Sequence, residues 1–390
     1  MNHRASIHNH SYYSNLRILD ALPSPTSIVD KAIELGIDMI GISEHESLSS
    51  HIELNQYAQK IKEQYPNFKI ALGNEIYLTE TRDKGQKYYH SLLCAKDATG
   101  HHALRELSSI AWMNSYFDRG LQRVPTLYSE VEAITKKYGK GHLIMSSACI
   151  GSIIGQKLLE MRACEQIEDK AGRKKAHDEI VQHILFCKEM FGDDYYLEIA
   201  PALYEEQIYI NKKTLQLGKI FDVKVTIQDD SHRLTQDDYI AHKALLNSKQ
   251  GEREDIDSFY KYTYLQSYDD IREHMKPTGC DCDELFSNSM EMYSKVEEYS
   301  LLHSQQVPQV PVRNYPKANK EKAYPHLNQL YNSDNQQERY WVNFCVDKLK
   351  EKQLYNNVYL SELDNEAKVQ LILGKKLDTC IFSYPIFLQH

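Results

Sequence analysis

Apolar and polar positions follow two rhythms along the first two-thirds of the chain. Short runs rich in Ile, Val, Leu and Tyr fall at Arg4–His10, Ile37–Ser43, Ile70–Leu78, Tyr89–Ala95, His142–Ser147, Tyr195–Ile199 and Val223–Ile227. Each has the length and composition of a strand. Between them, apolar residues recur three or four apart, the spacing of a helix face, in Ser27–Leu35, His51–Tyr65, His102–Phe117, Leu127–Tyr138, Ala176–Met190 and Glu205–Phe221. The first of these follows Pro25, has Thr26 or Ser27 as its cap and stops at Gly36. The second carries Ile52, Leu54, Tyr57, Ala58 and Ile61 on one face and stops before Pro66. Strand–helix alternation over this length predicts an α/β fold, either a barrel or a doubly wound sheet.

Beyond Ser267 the strand-like runs cease. Tyr268–Met275, Glu284–Tyr299, Asn335–Glu351 and Ser361–Ile372 read as helices, and Gln305–Ala318, with Pro308, Pro311 and Pro316, as an extended connector. This change places a domain boundary near residues 275–285, giving domains 1–280 and 281–390. The Lys-rich stretch Lys170–Lys175 reads as the solvated start of a helix rather than a phosphate site. No apolar run approaches the roughly 18 residues of a membrane span. Met1-Asn2-His3-Arg4 leads into no signal-peptide core, so the expected location is cytoplasmic, away from membranes. The eight cysteines lack framework spacing and read as thiols or ligands. A net charge of -9 argues against a simple nucleic-acid coat, while leaving room for a local basic face or bound cations. Seventeen histidines are more than a chain of this size usually carries.

Those histidines gather with acids in and just after the strand-like runs. Ile7-His8-Asn9-His10-Ser11 holds two imidazoles two apart, on one face of a strand, where they can chelate one transition metal. Ser43-Glu44-His45 ends an apolar run, Gly73-Asn74-Glu75 sits inside one, and His90 opens another. Ser147-Ala148-Cys149-Ile150-Gly151 and Asp229-Asp230-Ser231-His232 follow two more. Taken singly, each has a plain reading: a strand-end His is ordinarily a surface residue or a satisfied donor, Glu75 a salt-bridge partner, and Cys149 a small buried hydrophobe. Their joint placement outweighs this, because strand ends converge on the mouth of an α/β barrel, where active sites are built. Nine such ligands exceed what one ion takes and imply two or three, as in sites that hydrolyse phosphate esters.

In this order the motifs resemble the polymerase-and-histidinol-phosphatase (PHP) domain, most closely the version at the N-terminus of the bacterial replicative DNA polymerase III alpha subunit. H-x-H falls on His8 and His10, the aspartate of the next loop on Asp20, the strand-end T-D-H on Ser43-Glu44-His45 and G-x-E on Gly73-Asn74-Glu75. The H-x-x-x-L-A-k motif falls on His90 through Lys96, S-g-C-x-g-G on Ser147 through Gly151, and N-D-x-H on Asp229 through His232. Tyr195-Tyr196-Leu197-Glu198 and Tyr264-Leu265-Gln266-Ser267 resemble further segments of the alpha subunit. The resemblance covers roughly residues 4–300 and implies a seven-stranded, TIM-like barrel. It implies metal ligands at His8, His10, Asp20, His45, Glu75, His90, Cys149, Asp230 and His232, with His8, His10, Asp230 and His232 central to catalysis. Glu44 stands where the family has aspartate, and Asp229 where it commonly has asparagine, adding negative charge beside the ions; both are expected to support the ligands.

Residues after about 285 resemble the start of the polymerase palm, with Leu371-Ile372-Leu373 and Ile386-Phe387-Leu388 like the region before its Gly-rich nucleotide-binding segment. No such Gly-rich segment and no downstream D-x-D follows, and Asp281-Cys282-Asp283 is a D-x-D by spelling alone. The expectation is a PHP domain with an initial palm piece, split or truncated inside the palm and unable to synthesise DNA alone. It would hydrolyse phosphodiesters at single-stranded or primer 3′ ends with two or three Zn²⁺, Mn²⁺ or Fe²⁺ ions. Its partners would be DNA and the remaining polymerase or other replisome subunits. Two alternatives stay open: a free-standing small-molecule phosphatase, and a non-catalytic scaffold that metal stabilises.

Overall fold

The computed structural model describes residues 3–118, 121–250, 258–303 and 311–377. The chain divides into two compact units, Met1–Leu302 and His303–His390. The first contains ten strands among its described residues: β1 (Ala5–Ser6), β2 (Met39–His45), β3 (Lys69–Thr79), β4 (Tyr89–Ala95), β5 (Tyr116–Asp118), β6 (Leu121–Arg123), β7 (Thr126–Leu127), β8 (Leu143–Ser146), β9 (Tyr195–Ile199) and β10 (Val225–Ile227). Seven follow one path, β1-β2-β3-β4-β8-β9-β10, with β7 beside β3 and β5–β6 a separate hairpin. Past β1 and β10 the two ends of the path meet: His10 N donates to Ser231 O at 2.8 Å and Ser231 N to His8 O at 3.3 Å. The expected α/β barrel is therefore present.

Its strands are not all parallel. β4 runs antiparallel to both β3 and β8, whereas the other pairings along the path are parallel. The link between β3 and β4, residues 80–88, is shorter than the dozen or more residues a parallel crossover needs. So β4 starts at the end of the barrel where the parallel strands finish. His90, at the start of its strand, thereby faces the same mouth as residues at the ends of theirs.

Period-two alternation sorts the strand residues. Ile40, Ile42 and Leu72 pack outward with Ile28, Val29, Ala32 and Leu54 of the helices Pro25–Glu34 and His51–Ile61. Met39, Ala71, Leu92, Cys94, Ile144 and Tyr196 form a separate apolar cluster drawn from strands around the barrel. Met292 and Val296 join that cluster from the helix Cys282–Lys295 and the residue after it. That helix also accepts Ala5 N on Ser289 Oγ at 2.9 Å, and Lys69 Nζ donates to the carbonyls of Tyr293 and Val296. The compact unit thus runs past the break expected at 280/281, because a helix beyond that break completes the barrel's own apolar packing.

Other expected elements shift at their ends. The first strand is formally only Ala5–Ser6, the helix expected at His102–Phe117 is Ala98–Met113, and that at Ala176–Met190 begins at Lys170. Lys170–Lys175 is accordingly a helix start, with its lysines exposed. Asp281 caps Cys282–Lys295 by accepting from Asp283 N and Glu284 N. In the second unit, the helices Pro325–Tyr331, Gln336–Glu351 and Asn357–Leu377 pack around Leu327, Leu330, Trp341, Val342, Val346 and Leu360. Residues 311–318 of the expected connector carry no helix or strand; its residues 305–310 and Ile386-Phe387-Leu388 lie outside the described residues. Among the described residues, no helix is long and apolar enough to cross a membrane.

Buried imidazoles away from the mouth make the fold acid-sensitive. His51 Nε2 donates to Gly73 O at 2.9 Å, so its Nδ1 accepts from His101 Nε2 at 3.0 Å. Burial, partly offset by the Gly73 bond, lowers His51 from 6.5 to about 4. Burial with the nearby His51 lowers His101 to about 3, and burial lowers His183 to about 4. The unfolded chain takes these protons near 6.5, so below that pH it binds more protons than the fold. Stability present above about pH 6.5 is then lost as pH falls towards 4, at no more than roughly 1.4 kcal/mol per unit for each group. Urea midpoints measured across this range are expected to fall, and less steeply in His183→Gln. An equal slope in both proteins would contradict the assignment.

Candidate metal centre

The residues at the mouth come from every part of the barrel. His8 and His10 leave β1, and Asp20 follows the short helix Tyr12–Leu16. His45 ends β2, Glu75 lies within β3, and His90 begins β4. Cys149 follows β8, and Asp230 and His232 follow β10. Three backbones beside them, Glu46, Ala148 and Asp230, have positive φ of 48°, 62° and 46°. Non-glycine residues in that region are uncommon and gather where a site imposes the conformation. Gly151 is required for a different reason: a Cβ there would stand 2.8 Å from His90 Nδ1.

Hydrogen bonds fix which imidazole nitrogen is left over. His8 Nδ1 donates to Glu198 at 2.5 Å, leaving Nε2 3.1 Å from Asp230 Oδ1 and 3.5 Å from Glu75 Oε1. Ser14 Oγ donates to Glu44 at 2.6 Å and therefore accepts from His10 Nδ1 at 3.0 Å. His10 Nε2 then faces Asp230 Oδ1 at 3.4 Å. His232 Nδ1 donates to the Asp230 carbonyl at 2.9 Å, leaving Nε2 3.5 Å from Asp20 Oδ2. His45 lies between Glu75 Oε2 at 2.5 Å and Asp20 Oδ2 at 3.1 Å. His90 Nδ1 is 2.8 Å from Glu75 Oε1 and 3.6 Å from Cys149 Sγ. The His10 ring stacks between His45 and His232, with centroids 4.2 and 4.5 Å away. All nine residues expected as ligands therefore meet in one connected cluster.

The electrostatics of the cluster call for positive charge. Burial alone would push His8 down, but Asp230 and Glu198 outweigh it and hold the imidazole well above its ordinary value. His45 behaves likewise between Asp20 and Glu75. His10 drops to about 3, through burial and then the adjacent His45 and His232. Burial works to raise Asp20, Glu75 and Asp230, yet the imidazoles around them hold all three below the ordinary carboxylate range. Burial raises Cys149, with Asp230 and Glu75 adding to it.

A metal ion fits these residues. His8 Nε2, His10 Nε2, Asp20 Oδ1 and Asp230 Oδ2 are buried without any hydrogen-bond partner. Each such atom costs roughly 1–3 kcal/mol if nothing binds it. Candidate ligand atoms lie within 4.8 Å of one another in three sets: His10, His45 and His232; His8, His10 and Asp230; and His8, Glu75 and Cys149. Imidazole, carboxylate and one sulfur suit divalent transition metals.

The geometry corrects one expectation and supplies one further residue. Asp229 does not add charge beside this cluster. The chain has left the strand here, with Asp230 at positive φ, and Asp229 turns away to Arg4, whose Nη1 lies 2.7 Å from its Oδ2. Ser6 Oγ and Gln266 N also donate to it. Glu44 does reach the ligands, through Ser14 to His10, and accepts from Ser11 as well. The residue missing from the sequence reading is Glu198, which orients His8 and is itself held by Ser146 Oγ at 2.9 Å. Its signal was available: an acid in the middle of an apolar strand, buried on the same side as Tyr196.

The pattern of the PHP domain matches residues 6–202. The chain is 34% identical over 408 aligned positions to the "Probable DNA polymerase YorL" of Bacillus subtilis strain 168 and, equally, to a "DNA-directed DNA polymerase" of Bacillus phage SPbeta. Each alignment covers 97% of this chain and 31% of the relative. The DNA polymerase III subunit alpha of Borreliella burgdorferi is 25% identical, over 76% of this chain and 24% of that protein. The chain thus spans less than a third of the length of these relatives. With the motif order, the barrel and the mouth cluster in agreement, the chain belongs to the PHP domain family.

Proposed function

We propose that the mouth cluster is a two- or three-ion phosphodiesterase centre that removes nucleotides from single-stranded DNA 3′ ends. Its ligands are His8, His10, Asp20, His45, Glu75, His90, Cys149, Asp230 and His232, and its ions are Zn²⁺, Mn²⁺ or Fe²⁺. Residues 281–390 contribute the packing helix Cys282–Lys295 and then an initial palm piece of a polymerase III alpha-type protein, which works with DNA and other replisome subunits. The observation that carries the reading is the convergence of ligand atoms left without partners, on His8, His10, Asp20 and Asp230. The polymerase names of the relatives support DNA as the substrate class.

When bound, such ions act as Lewis acids on phosphoryl oxygens and make water more acidic. The chain's residues do the rest. Glu198 and Ser14 hold protons on Nδ1 of His8 and His10, which keeps both Nε2 lone pairs directed inward. The buried carboxylates exclude competing anions until cations neutralise them. The test is release of nucleotides from single-stranded DNA 3′ ends with Mn²⁺ or Zn²⁺, with an aryl phosphate ester in parallel. Cleavage of the ester alone would favour a small-molecule phosphatase, and cleavage of neither a metal-stabilised scaffold.

Metal itself gives an independent check. Protein purified without chelator is expected to carry at least about two transition-metal ions, as elemental analysis would measure. Because ions bind the folded state preferentially, their removal costs about 4 kcal/mol if free metal stands roughly a thousandfold above its dissociation constant. At roughly 2 °C per kcal/mol, the melting midpoint drops by about 8 °C. An unchanged midpoint after chelation contradicts the metal centre.

A further inference from the structure

The centre is not equally closed on all sides. The side chains of His8, His10, Asp20, His45, Glu75, Asp230 and His232 are at most 4% exposed, whereas that of His90 is 24% exposed. From His90 a ladder of parallel rings runs through the buried Tyr77 to the half-buried Tyr88. Tyr77 stacks on His90 at 4.5 Å and 8°, and Tyr88 stacks on Tyr77 at 5.1 Å and 4°. At the outer rung, Arg123 Nη1 donates to Tyr88 Oη at 2.5 Å, with the guanidinium carbon 5.7 Å from the ring centroid.

We propose that Arg123, seated on Tyr88, binds a backbone phosphate of a single-stranded polynucleotide upstream of the linkage that enters the centre. This rests on the phosphodiesterase reading and names how its substrate is held. Among the described residues, no carboxylate lies within ion-pair distance of Arg123. Several other arginines are neutralised, Arg4 by Asp229, Arg17 by Glu46, Arg82 by Glu130 and Arg162 by Glu205. In a chain of net charge -9, a half-buried guanidinium held by a phenol and in no ion pair is available to an anion. On the same face of its hairpin, β5–β6, Leu121 is 42% exposed. A small phosphate ester fills the centre alone, whereas a chain of phosphates extends from it to Arg123.

Binding tests this without requiring turnover. A fluorescent, phosphorothioate-linked oligothymidylate is titrated into the full chain at several salt concentrations. Arg123→Ala is expected to weaken binding about tenfold and to reduce the slope of log affinity against log salt by about 0.7, one single-strand phosphate contact. Arg123→Lys keeps the slope. Lys174 supplies the control. The helix Ile153–Gln166 carries the chain about 20 Å from His90 before the next helix begins at Lys170, so Lys174→Ala should change neither quantity. Wild-type affinity and slope in Arg123→Ala, or an equal loss in Lys174→Ala, overturns the proposal. Should Arg123→Ala fail to fold, Tyr88→Phe removes the hydroxyl that holds the guanidinium; a weakened complex supports the site and an unchanged one overturns it. Arg123-dependent binding in a protein that hydrolyses nothing overturns the phosphodiesterase reading while leaving this site standing.

Discussion

Asp230→Asn is expected to lower hydrolysis about a hundredfold or more, and His8→Ala to do the same, because misplacing reacting groups by about 1 Å already costs that much. Asp230 is the acid shared by two imidazoles: its Oδ1 is 3.1 Å from His8 Nε2 and 3.4 Å from His10 Nε2, and its Oδ2 has no partner. Asparagine has the same outline and tolerates the positive φ of 46° found here, so the loop keeps its path. What changes is charge, and one carboxylate oxygen becomes an NH₂ that repels a cation. His8→Ala removes a different donor from the same place and frees the buried Glu198 carboxylate that it had held. Matched preparations assayed with Mn²⁺ on single-stranded 3′ ends decide the matter. Equal trace rates in wild type and both variants would mean a contaminant. A metal content lowered together with the rate would tie the loss to the centre itself.

The strands were the most legible part of the chain. Tyr89–Ala95 and Tyr195–Ile199 lie where their composition placed them, because a β-rich run buried on both faces leaves a strong apolar signal even with His90, Ser91 or Glu198 inside it. Of the features that escaped, three have a plain physical reason. The direction of β4 depends on the length of the 80–88 link, not on the strand's own residues. The helix Ile153–Gln166 buries mainly its first turns, at Ile153, Ile154, Gly155, Lys157 and Leu158, so its apolar stripe is too short to stand out. The helix Cys282–Lys295 has an ordinary apolar face, and periodicity cannot say which unit that face will meet. At the mouth, the ligand positions were legible because metal chemistry restricts the residue types allowed there. Their supports were less so, since Ser14 and Glu198 act through hydrogen bonds that only the fold brings together. Asp229 and Asp230 show the limit most directly: adjacent and identical, they are separated in role by the turn of the chain past β10, one facing the imidazoles and the other an arginine.

That arginine carries the largest expected effect on stability. Arg4 is fully buried, and its Nη1 and Nη2 reach the two oxygens of Asp229 at 2.7 and 3.4 Å, while Nη2 also donates to Gln266 O at 2.7 Å. Arg4→Met leaves an aliphatic chain in the same space but strands a buried carboxylate with only Ser6 Oγ and Gln266 N as donors. Breaking a buried pair in this way costs about 3–5 kcal/mol, mostly the penalty of the charge left behind. The double variant Arg4→Met/Asp229→Asn removes that charge, keeps an oxygen to accept from Gln266 N and turns an NH₂ towards Ser6 Oγ, which can accept, so it should recover more than half of the loss. Urea denaturation of metal-loaded protein measures both. A single-variant loss below about 1 kcal/mol, the worth of an exposed pair, would mean that the interior at this point is wet. The pair also ties the start of β1 to the end of β10, the two segments that continue into His8 and His10 and into Asp230 and His232. Arg4→Met should therefore weaken metal binding although Arg4 touches no ligand, and the double variant should restore metal affinity together with stability.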